Sequence, residues 1–129
     1  MRFNNFWFQP IGKLGQLMVL DLSDPTAPKE VMRLDMPTGF NPHWLAKDPT
    51  SNRLIIGAEF GGEEGFMMLR LDELTGRVAF DPDFQGKRPR FLWSERVPGY
   101  ISLTDKVWPH GDSKEAWGHA ALFLPASHD

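Results

Sequence analysis

A five-residue pattern returns after forty-nine positions: Met18-Val19-Leu20-Asp21-Leu22 and Met67-Met68-Leu69-Arg70-Leu71 align residue for residue, and each is followed by a turn and a return segment. Recurrence on this scale constrains the fold, because a unit of roughly 40–50 residues that cannot bury its apolar face alone must stack on a neighbour. Helical units are ruled out by punctuation. The 11 prolines and 12 glycines interrupt nearly every stretch of twelve residues, so no window keeps apolar residues at helical spacing for three turns. The repeating unit is therefore expected to be built of strands.

The strands follow from apolar runs and the turns between them. Leu17 to Leu22 leads into Ser23-Asp24-Pro25-Thr26-Ala27-Pro28, and Lys29 to Leu34 returns. His43-Trp44-Leu45-Ala46 passes through Asp48-Pro49-Thr50-Ser51-Asn52 into Arg53 to Glu59; after Gly61-Gly62-Glu63-Glu64-Gly65 come Phe66 to Asp72 and then Arg77 to Phe80. A recurring four-stranded antiparallel meander is the pattern of a β-propeller blade. The expected fold is thus all-β, a partial β-propeller with residues 43–80 as one complete blade and residues 17–34 as the outer two strands of the blade before it. Residues 81–118 would form a long lid-like loop and residues 119–124 the first strand of the next blade. A closed ring needs at least four blades, roughly 160 residues, so the ring is expected to be completed by missing blades or by another copy of the chain. Phe3, Phe6, Trp7 and Phe8 would pack against a preceding blade.

The net charge of −3 is too slight and too evenly spread for a nucleic-acid footprint or an anionic-membrane binder. With no cysteine, disulfides, thiolate metal sites and cysteine nucleophiles are excluded. No apolar stretch predicts membrane insertion, and the first residues lack the apolar core and cleavage site of a signal peptide; cytoplasm and periplasm both fit.

Three histidines share related contexts: Pro42-His43-Trp44, Trp108-Pro109-His110-Gly111 and Gly118-His119-Ala120. The first strand of each blade lines a propeller's channel, so His43 and His119, each opening such a strand, are expected at its mouth. His110 lies in the thirty-eight-residue connection from Asp81 to Gly118, and connections of that length tend to carry function. Imidazoles of His43, His110 and His119, with Glu59 or Asp112 as a carboxylate, would suit a divalent metal. His110 or Glu59 would serve as a general base. No nucleophile-elbow motif is present, and the glycine loop 61–65 lacks the lysine and helix of a phosphate cradle.

At these residues the chain resembles the selenium-binding proteins, also called methanethiol oxidases, within the superfamily of YVTN-repeat and lactonase-like propellers. Val19-Leu20-Asp21-Leu22-Ser23-Asp24-Pro25-Thr26-Ala27-Pro28 is similar to that family's strand and turn. Pro42-His43-Trp44-Leu45-Ala46-Lys47-Asp48-Pro49 is similar to the superfamily's blade opening, and Trp108-Pro109-His110-Gly111 to an element near the family's C-terminus. The resemblance implies a C-terminal portion of a seven-bladed propeller. It also implies channel histidines holding a metal, copper more than zinc, at which a small thiol is oxidised. Two other functions fit the same residues: a lactonase-type hydrolase, and a non-catalytic propeller that binds ligands or proteins. The absent cysteine and the Gly118-His119 start depart from the family pattern.

Overall fold

A hairpin needs a residue that bends the chain and satisfies the backbone it exposes, and aspartate does both here. In the computed structural model, Asp24 and Asp48 each accept the backbone N–H and the hydroxyl of the threonine two residues on, with Pro25 and Pro49 setting φ between them. Asp48 also takes the Ser51 hydroxyl at 2.6 Å, and these bonds hold its carboxyl at about 2. The structure describes residues 1–59, 65–87, 96–103, 107–108, 111–112, 118 and 120–124.

The first sheet is an antiparallel meander of β1 (Arg2–Phe3), β2 (Phe6–Ile11), β3 (Gln16–Asp21) and β4 (Lys29–Asp35). The second contains β5 (Pro42–Lys47), β6 (Arg53–Ala58), β7 (Phe66–Leu71) and β8 (Val78–Phe80), in meander order. Short strands follow at β9 (Gln85–Lys87), β10 (Arg96–Pro98), β11 (Tyr100–Ile101), β12 (Val107–Trp108) and β13 (Gly111–Asp112). The chain is all-β with antiparallel sheets, and the described residues form no closed ring.

Alternation along the strands decides which face is buried. Phe6, Phe8, Leu17 and Val19 point from the first sheet into one core with Leu54, Ile56, Met67, Leu69 and Leu71 of the second. The aromatic residues near the start therefore divide between two faces. Phe6 and Phe8 are core residues facing the second sheet, while Trp7 stays 37% exposed. Residues 17–34 hold the last two strands of their sheet, which β1 and β2 complete.

The stretch from 81 to 118 departs from a lid in its described parts. β9 pairs with β10, and β11 pairs with the start of β7, beside the segment of β7 that takes β8. Tyr100 is 1% exposed within the core. Residues 120–124 carry no strand, and Leu122 and Leu124 are exposed. An extended run becomes a strand only by laddering with another, and no described strand pairs with it.

Gly76, in the turn between β7 and β8, has φ +72°, and a Cβ there would lie 2.5 Å from Cδ1 of Phe6. Gly76→Ala is expected to cost about 1–3 kcal/mol through left-handed strain and overlap in the core. Urea denaturation would check it; an unchanged midpoint would mean the turn relaxes freely.

Candidate functional site

His43 owes its position to an irregularity in β5. Pro42 pairs with Ala58 and Trp44 with Gly57, so two residues of β5 span one step of β6 and His43 is the extra one. A bulge of this kind turns a side chain out of the regular alternation, and bulges are frequent beside functional sites. His43 and Trp44 are accordingly both exposed. Pro42 sits at the first strand position, where its missing N–H breaks no ladder bond.

Glu59 follows the end of β6 at the same end of the sheet. Its backbone N–H donates to the Asn41 carbonyl at 2.7 Å, which ties it to the residue before Pro42 and His43. Across the core, the 3-10 turn Gly12–Leu14 of the first sheet abuts this corner. A Cβ on Gly12 would come within 3.1 Å of Glu59 Oε2 and 3.3 Å of the Pro42 carbonyl oxygen. Glycine at this position lets the turn approach the carboxylate closely.

The C-terminal stretch reaches the same end. The Trp44 indole N–H donates to the Ala121 carbonyl at 3.3 Å, and Gly118 lies so close to the Phe66 ring that no side chain would fit there. Phe66 opens β7 opposite Gly57, one step from His43 in the register. Asp112 is in β13 opposite Val107. His110 and His119 lie outside the described residues.

His43 and Glu59 provide two donors at this end, fewer than the three or four protein ligands that copper or zinc takes. Among the described residues no group of three or more His, Cys, Asp or Glu could hold a metal ion. These residues alone therefore do not fit a metal centre. No helix among them is long and apolar enough to cross a membrane.

Two features at the opposite end escaped the reading from residues. An open groove of about 810 Å³ is lined by Asn52, Arg70, Asp72, Glu73 and Arg77, among others, and contains none of the predicted site residues. Beside it, buried Asp81 accepts Arg53 Nε at 2.8 Å and pairs with Arg70 Nε at 2.9 Å, while Asp83 pairs with both arginines at 2.8 and 2.6 Å. Burial works against the Asp81 charge, but the Asp83 N–H and the two guanidinium groups outweigh it and lower the carboxyl below its ordinary range. The Asp81-Pro82-Asp83 triplet was the available sequence signal, since it repeats the Asp-Pro turn of 24–25 and 48–49. The network ties three consecutive pieces of the second sheet together and is structural in role.

No protein-family model, no curated protein and no solved structure matches this chain.

Proposed function

We propose that the chain is a two-blade segment of a β-propeller similar to the selenium-binding proteins, and that the end of the second sheet carrying His43 is its ligand site. The observation that carries this reading is the convergence at that end. The bulge turns His43 outward, Glu59 is tied to Asn41, and Gly118 and Ala121 pack against Phe66 and Trp44. His110 and His119 would complete with His43 the imidazole set that the described residues leave short, with Asp112 as a further carboxylate. The ligand class is then a divalent metal, copper in preference to zinc, and the substrate class a small thiol, whose oxidation would need bound copper to pass the electrons on to an external acceptor such as dioxygen. Glu59 would act as a base beside it.

Titration of the full chain with Cu(II), followed by electron paramagnetic resonance, tests the reading. The expected spectrum shows nitrogen coupling from imidazoles, and His43→Ala, His110→Ala and His119→Ala each weaken binding by at least about tenfold. A copper spectrum and affinity unchanged by all three substitutions would remove the site.

A further inference from the structure

The two sheets share one pattern down to their cross-strand pairs. Strand β2 corresponds to β6 and β3 to β7, so the pair Trp7–Leu20 falls on Leu54–Leu69, and Gln9–Met18 falls on Ile56–Met67. Leu54, Ile56, Met67 and Leu69 are each 0% exposed, because they form the face that packs on the first sheet. The corresponding face of the first sheet is open: Trp7 is 37% exposed, and Met18 and Leu20 are half-buried. Around that apolar centre lie Arg2, Gln9 and the ion pair of Glu30 with Arg33, at 2.8 Å. An apolar centre with a polar margin is the anatomy of a protein interface.

We infer that this face receives a third four-stranded meander of the same repeat. It would set against Trp7, Met18 and Leu20 a surface of the kind that Phe8, Leu17 and Val19 present to the second sheet. The interface between the two sheets is thereby continued by one step. Among the described residues a second copy of this chain offers no equally open surface: Phe8, Leu17 and Val19 are already fully covered, and at the corresponding positions of the second sheet Phe66 and Met68 are 8% and 6% exposed and Ile55 is half-buried. The inference rests on the blade reading above and is independent of the histidines and of any metal.

Because the chain has no cysteine, a single thiol can report on this face. Met18→Cys is made in the full chain, and again in a chain extended by a further copy of residues 1–41 placed before Met1, with the substitution only in the original copy. The rate of reaction with Ellman's reagent is expected to fall at least about tenfold in the extended chain, as the thiol becomes accessible only by local opening. Equal rates in the two chains overturn the inference, whether the added copy fails to order or orders without docking. Dimers of the unextended chain on sedimentation, with the thiol protected, would assign the face to a second copy and also overturn it. Copper binding, measured separately, would stand in either case, so failure of this inference is distinguishable from failure of the metal site.

Discussion

Truncating Tyr100 to alanine is expected to destabilise the chain by about 3–5 kcal/mol, the cost of removing a large buried aromatic side chain and leaving a cavity. Tyr100 is 1% exposed and pairs with Met67 through β11, so the ring and its strand hold the segment after β8 against the second sheet. A Cβ on Gly86 would strike the Tyr100 backbone, which shows how closely β9 lies against β11. Denaturant titration monitored by circular dichroism would give the loss. A change below about 1 kcal/mol would instead fit a surface position and restore the lid picture for this segment.

The second large effect is expected at Asp81. Its substitution by alanine removes the buried anion between Arg53 and Arg70 and leaves the Asp83 N–H without its acceptor. Breaking a buried pair costs about 3–5 kcal/mol, and because both guanidiniums are partly exposed and keep Asp83, the lower end applies. The pH dependence follows from the direction of the shift. The folded carboxyl titrates below its ordinary value of 3.8, so its stabilisation is full above that value and is lost as pH falls through the folded value. Asp48, held at about 2, loses its contribution in the same direction. Thermal denaturation of the native chain between about pH 5 and 2 should therefore fall more steeply than that of Asp81→Ala. Parallel curves would refute a role for the Asp81 charge in stability.

The repeat at an offset of forty-nine was legible because strand alternation and turn chemistry are local, and both recur: Met18 to Asp21 lies along β3 and Met67 to Arg70 along β7. Phe6-Trp7-Phe8 shows where legibility stops. Aromatic residues occupy both faces of β2, so alternation alone could not say which face meets the other sheet. Residues 120–124 have the apolar character of a strand, but strand formation depends on a partner, which their own composition does not encode. The contacts of Asp81 join residues 28 and 11 positions away, and they come together only once β6 and β7 are in register. His43 was legible as a residue type after proline. The bulge that turns it outward depends on pairing with Gly57 and Ala58.

One edge of β7 is shared between two partners. Leu69 to Leu71 ladder with β8, where Leu71 and Val78 are seven residues apart; Phe66 and Met67 ladder with β11, where Phe66 and Ile101 are thirty-five apart. Closing the longer loop costs about 1.4 kcal/mol more chain entropy than closing the shorter one. The strand thus has a near half that forms with its hairpin and a far half that is completed only when the chain returns. At the His43 end the two kinds of closure meet: Gly57 ladders with Trp44, thirteen residues away, while Phe66, opposite Gly57, ladders with Ile101.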